Sequence, residues 1–184
     1  ELRDTGSATV RAYGSATVQA YGSATVQAYE SATVWAYGSA TVQAYGSATV
    51  RAYGSATVQA YGSATVWAYE SATVEAYGSA TVWAYESATV WASGSATVRA
   101  YDSATVQASK YVAVRLHSAR VTLDGGVLID LTQLDLTDPA TWCDYHGVTV
   151  TDGIAEVFKA VNDQWTNYQP GSLPTAPDWK PTRE

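Results

Sequence analysis

The chain has no methionine, one cysteine (Cys143), one phenylalanine and, before residue 139, no proline. Each scarcity excludes something. A lone cysteine forms no intramolecular disulfide. With one Phe and only 15% charged residues, most of the length does not encode a compact α/β enzyme core of Leu, Ile and Phe. The 10 basic side chains form no cluster and are outnumbered by 17 acidic ones, for a formal charge of −7. The phosphate-neutralising charge that dominates nucleic-acid affinity is therefore missing, and no nucleic-acid partner is expected. No apolar run approaches the roughly 20 residues that span a bilayer, so a soluble chain is expected. No Met opens the sequence; residue 1 reads as a cut or processed end, and the lack of a signal peptide says little about export. Localisation stays open, with a secreted, cell-surface or phage-associated parent expected.

What is present is mostly Ala, Val and Tyr in a strict period. From Gly6 to Ser109 the chain is 13 uninterrupted octads of the form Gly-Ser-Ala-Thr-Val-x-Ala-Tyr, and a short internal period decides most of a fold. The x position holds Gln, Arg, Glu or Trp, a tolerance that places it in solvent. Alternation then turns Thr outward beside x and Ala-Val-Ala inward (Ala8, Val10 and Ala12 in the first octad). Gly, Ser, Thr, Val and Tyr every eight residues would weaken a helix in every turn. The octad is a short strand plus a corner, and the fold class is all-β, a parallel β-solenoid with uniform ladders along its axis.

Two coil sizes are compatible with an octad. A coil of two octads gives a flat, two-sided solenoid; a coil of three gives a triangle whose centre three Val side chains fill poorly. Charge argues the other way, because a 16-residue coil stacks Glu70, Glu86 and Asp102 while a 24-residue coil sets Glu75 between Arg51 and Arg99. Exposed charges at that spacing cost only about 1 kcal/mol in water. A void costs about 24 cal/mol per Å³ along the whole core, which favours the two-sided coil.

Ala-Thr-Val-Gln-Ala followed by Tyr-Gly-Ser resembles the repeat of bacterial ice-nucleation proteins, whose unit is two octads with a Thr-rich outward row and Gly, Tyr or acidic corners. The resemblance covers residues 6–109 and implies a solenoid with Thr rows facing water. It departs where that family sets two Thr around an inward residue, because here the second is Gln, Trp, Arg or Glu. The residues at x are linked by single-base codon changes, which fits drift of a duplicated gene better than design.

Octad identity breaks at Lys110, but Tyr111–His117 and Ala119–Leu123 keep the alternation and read as closing coils over 110–138. Gly125-Gly126 is expected to make a turn, and Val127, Ile129, Leu131, Leu134 and Leu136 to cover the last open edge, which would otherwise template aggregation. At the other end Glu1–Thr5 is expected to run straight into the first octad, leaving a self-complementary edge suited to a head-to-head homodimer. All five prolines lie in 139–181, and the composition shift near Asp138 marks a small C-terminal module, 139–184. Within it Val148–Thr151 reads as a strand; Ile154–Val161 fits helix or strand and leans to strand. The segments Glu156–Asn162 and Tyr168–Gly171 resemble an uncharacterised domain of actinobacterial and phage proteins, which would be truncated at Glu184.

Chemistry is sparse. Cys143 and His146, three apart, lack the pocket and oxyanion site that a nucleophilic pair needs. One Cys with His117 and His146 does not make a metal site, and Asp130, Asp135 and Asp138 read as acidic turn residues. No catalytic residue, metal or cofactor is expected. The surface rows remain: Thr9, Thr17, Thr25, Thr33 and Thr41, and the exposed Trp35, Trp67, Trp83 and Trp91, with Tyr ending eleven of the thirteen octads. The expected function is a non-enzymatic rod or spacer that displays its C-terminal module. The alternative is binding of ice, ordered water, a glycan or another polymeric or filament surface through those rows.

Overall fold

A computed structural model describes residues 2–4, 7–135, 137–151 and 154–155. The chain divides into two compact units, residues 1–132 and 133–184. In the first, β1 (Leu2–Asp4) precedes twelve four-residue strands, each the Thr-Val-x-Ala of one octad: β2 is Thr9–Ala12, β3 Thr17–Ala20, and so on at intervals of eight to β13, Thr97–Ala100. β14 (Thr105–Leu116) and β15 (Thr122–Asp130) complete it.

Each octad strand pairs in parallel with the strand two further along, so Thr25 lies beside Thr41, Val26 beside Val42 and Gln27 beside Gln43. The coil is therefore two octads long and two-sided, with even-numbered strands on one face and odd-numbered strands on the other. β14 joins the faces by pairing with β12 through Thr105–Ala108 and with β13 through Ala113–Leu116.

Packing explains the choice. From Val26 to Val106 every inward Val is fully buried between Ala neighbours, and no polar side chain is buried among the described residues. Ala-Val-Ala stripes are thin enough for two sheets to close without a void, and each buried Val contributes about 1.5–3 kcal/mol relative to an exposed one. The stacked acidic corners are tolerated: the Glu86 backbone N–H donates to Asp102 Oδ2 at 3.1 Å, and Arg120 Nη2 lies 3.6 Å from Asp102 Oδ1.

The corner is a β-turn over Tyr-Gly-Ser-Ala. Ala16 N–H donates to the Tyr13 carbonyl at 3.2 Å, and Gly14 has φ +64°, the positive value that primed turns need at their second residue. Corners also stack, with Ser55 N–H donating to the Gly38 carbonyl at 2.8 Å. A Cβ on Gly54 would sit 3.0 Å from that same carbonyl oxygen. Glu30, Glu70, Glu86 and Asp102 hold the equivalent position at φ 52–60°, at a strain of roughly 1–2 kcal/mol each.

The N-terminal end differs from expectation. Leu2–Asp4 pairs with β3, Leu2 beside Val18, so the N-terminal segment adds a rung instead of running straight into the first octad. The octad backbone is thus the edge on the β2 face alone. At the far end Leu123 lies beside Val106 and Leu128 beside Val114, while Val127 and Ile129 continue the outward rows. The turn expected at Gly125-Gly126 is a corner inside β15, at φ +79° and +78°. β15 thus pairs along the β14 edge, with Val127 and Leu128 51% and 54% exposed. Leu131 is buried and Leu134 exposed; Leu136 lies outside the described residues.

In the second unit a helix, α1 (Pro139–His146), stands where none was expected. Asp138 caps it by accepting from Thr141 N–H, Pro139 opens it, and Gly147 at φ 65° ends it. β16 (Val150–Thr151) and β17 (Ile154–Ala155) pair antiparallel, in line with the strand readings at those residues. The remainder of Ile154–Val161, and both segments that resemble the actinobacterial and phage domain, lie outside the described residues.

Candidate functional site

The two-octad register sorts outward residues into rows with one member per coil. It places Thr9, Thr25 and Thr41 in one row and Thr17 and Thr33 in another on the opposite face. Trp35, Trp67 and Trp83 share the odd-strand face, while Trp91 lies on the even-strand face. The singled-out residues therefore make two surfaces.

On the odd-strand face the x row is an aromatic-cation stack. Trp67 and Trp83 are parallel at 4.8 Å between centroids. Arg51 lies 5.2 Å from the Trp67 ring and Arg99 4.9 Å from the Trp83 ring, at either end of the pair. Both faces of each indole are thus occupied, and the rings turn their edges outward.

On the even-strand face the x row is a chain of amides with one direction. Arg11 Nε donates to Gln27 Oε1 at 2.9 Å, Gln27 to Gln43 at 3.1 Å, Gln43 to Gln59 at 3.2 Å, and Gln59 to Glu75 Oε2 at 3.1 Å. The chain runs from a cation to a carboxylate, so each bond is polarised in the same sense. Sequence reasoning missed it, although reading x at every second octad spells Arg-Gln-Gln-Gln-Glu. Tyr77 OH also donates to Glu75 at 2.9 Å, and that bond holds its phenol pKa above the usual value.

The corners carry two tyrosine columns. Tyr13, 29, 45, 61 and 77 stack at 4.9–5.1 Å; Tyr21, 37, 53, 69, 85 and 101 stack at 4.7–5.1 Å. Burial first, and the neighbouring phenols second, raise the pKa of Tyr53, Tyr69 and Tyr85. His117 ends the second column, 4.3 Å from Tyr101.

His117 Nε2 is buried with no hydrogen-bond partner. Burial, then Arg99 and Arg115, lower its pKa. The unfolded chain, with an imidazole pKa near 6.5, therefore takes up a proton before the folded one as pH falls. This contribution to stability is complete above about pH 6.5 and is lost as pH drops through the folded-state value. The melting temperature is expected to fall between pH 7.5 and pH 5, and His117→Phe, which keeps the ring stack, to flatten that part of the profile. Parallel profiles for the two proteins would refute the assignment. Asp130, Asp135 and Asp138, whose pKa values are lowered by hydrogen bonds from Thr132, Thr137 and Thr141, act only at lower pH.

Those same bonds make the three aspartates local turn and cap residues, and no group of three potential metal ligands occurs among the described residues. Cys143 is buried in α1, and the His146 ring packs on Trp142 at 4.3 Å. Among the described residues no helix is long and apolar enough to cross a membrane. No family model, curated protein or solved structure matches the chain; the two resemblances stand on residue pattern alone.

Proposed function

We propose that the chain is a non-enzymatic structural repeat, a rigid rod about 30 Å long over its octads, which spaces or displays the C-terminal module of a secreted, surface or phage-associated parent. One observation carries this reading: in long stretches the x rows and tyrosine columns are engaged with their own neighbours one coil away, by stacking or by directed hydrogen bonds. Such rows stiffen a rod. Head-to-head pairing of two copies belongs to the proposal through β2 alone, where the octad backbone is the edge.

Rigidity is measurable as a distance. Spin labels at Ser15 and Ser95, exposed and five coils apart in one corner column, should report a narrow distribution centred near the roughly 24 Å of backbone rise. Deleting one coil, residues 46–61, should shorten it by about 4.8 Å without broadening it. A broad distribution, or one unmoved by the deletion, would contradict the rod.

The registered Thr rows favour a second reading, binding of ordered water, ice or a polymeric surface such as a glycan. Against it, each Thr row runs beside Trp, Arg or Gln, and the paired indoles at Trp67 and Trp83 have no free face for a sugar ring. Thermal hysteresis is expected to be near zero. Strong ice shaping that disappears in Thr25→Lys/Thr41→Lys would reverse the ranking.

A further inference from the structure

Two octads end in Ser instead of Tyr, Ser93 and Ser109, and the register puts both in one corner column. Tyr61 stacks on Tyr77 at 5.1 Å; the next two rungs are Ser93 and Ser109, and in the last coil Gly125 lies beside Ala108, the residue before Ser109. Where rings would continue the column there is a notch of about 330 Å³, lined by Tyr77, Trp91, Ser93, Gln107, Ser109 and Asp124 over a floor of Ala92 and Ala108.

The notch is built for a ring. One end is Tyr77, an interior rung by sequence that carries a stacked neighbour on one side only, and it is 38% exposed as a result. The side is Trp91, at 43% the most exposed of the four x-row tryptophans, held in place by its Nε1–H, which donates to Gln107 Oε1 at 2.6 Å. The charge is of one sign. Among the described residues Asp124 is the only charged one in the lining, and the Glu75 carboxylate sits on the Tyr77 hydroxyl. The nearest cation in sequence, Lys110, lies over the Tyr111 ring at 5.3 Å.

The geometry points to a binding site for a planar aromatic ring that carries a positive charge: the ring takes the place of the missing rungs on Tyr77, and the cation lies over Trp91 between the carboxylates of Glu75 and Asp124. Aromatic stacking selects the ring, while the indole face and the two carboxylates select the cation. This site does not rest on the rod reading, since a rod needs no gap in its column.

The test uses the full chain and tyramine as the probe, followed by NMR through the Trp91 indole N–H, which is assigned by its loss in Trp91→Phe. Tyramine is expected to shift that resonance saturably. Para-cresol, the ring without the cation, and 2-cyclohexylethylamine, the cation without the ring, should each bind at least about tenfold more weakly. Ser93→Tyr/Ser109→Tyr supplies the missing rungs and should abolish binding while raising the melting temperature. Should that variant misfold, Asp124→Asn leaves the slot open and should weaken tyramine binding at least about threefold while leaving para-cresol unchanged, since Glu75 and Trp91 remain. No saturable shift up to about 20 mM tyramine, equal binding of the cyclohexyl amine, or full binding by both altered proteins would overturn the site.

Discussion

Val66→Asp is expected to abolish the cooperative β-sheet melt of this chain at neutral pH. Val66 is fully buried in β9 (Thr65–Ala68), beside Val50 and Val82 in the inward ladder. No buried polar side chain stands among the described residues to receive a carboxylate. An unpaired buried charge costs several kcal/mol, against a typical domain stability of about 5–15 kcal/mol. The position adds to the damage, because each coil is held only by its neighbours and a fault in the middle interrupts propagation from both sides. Val66→Thr has nearly the same shape and should fold, losing about 1–3 kcal/mol for its buried hydroxyl. Far-UV circular dichroism on heating separates the three proteins. A Val66→Asp melt within a few degrees of the parent would mean that Val66 does not face inward.

The second large effect belongs to the tyrosine columns. Tyr53 stacks on Tyr37 at 5.1 Å and on Tyr69 at 4.8 Å, whereas Tyr13 has one stacked neighbour and is 57% exposed. Each ring contact is worth about 0.5–1.5 kcal/mol beyond area burial. Tyr53→Ala forfeits two contacts and half-buried ring surface, so a loss of about 2–4 kcal/mol is expected. Tyr13→Ala should lose about 1 kcal/mol or less. Urea unfolding with unchanged m-values measures both. Equal costs at the two sites would show that the columns are decoration rather than support.

Much of this architecture was legible because one octad states it thirteen times. A position that holds Gln, Arg, Glu and Trp must face water, and a core no thicker than Ala-Val-Ala favours two sheets over three. The parts that escaped reading are those where the period fails. Across β14 and β15 the two-octad offset is lost: Ala108 pairs with Gly125 and Ala113 with Val127. No periodic rule places Leu128 inward and Val127 outward there. Helix α1 went unread because Cys143 is its only buried side chain, so no apolar stripe marks it. Its signals are at the ends, in Asp138-Pro139 and Gly147. The rows of the candidate site were visible as residue types, and counting by two octads already sets Trp35, Arg51, Trp67, Trp83 and Arg99 on one face, as the register does; the amide chain and the gap at Ser93 and Ser109 emerged only with the register.

The two-octad coil underlies every row, stack and gap described above, and disulfide trapping measures it directly. In a Cys143→Ser background, Gln43→Cys/Gln59→Cys places two thiols on paired residues of adjacent strands. Strands so paired lie about 4.8 Å apart, inside the roughly 4.4–6.8 Å Cα separation that a disulfide spans. Gln43→Cys/Trp67→Cys, separated by three octads, places them on opposite faces. Mild oxidation should close an intramolecular disulfide in the first protein and leave free thiols in the second. A disulfide in the second and free thiols in the first would establish the three-sided coil and contradict the account.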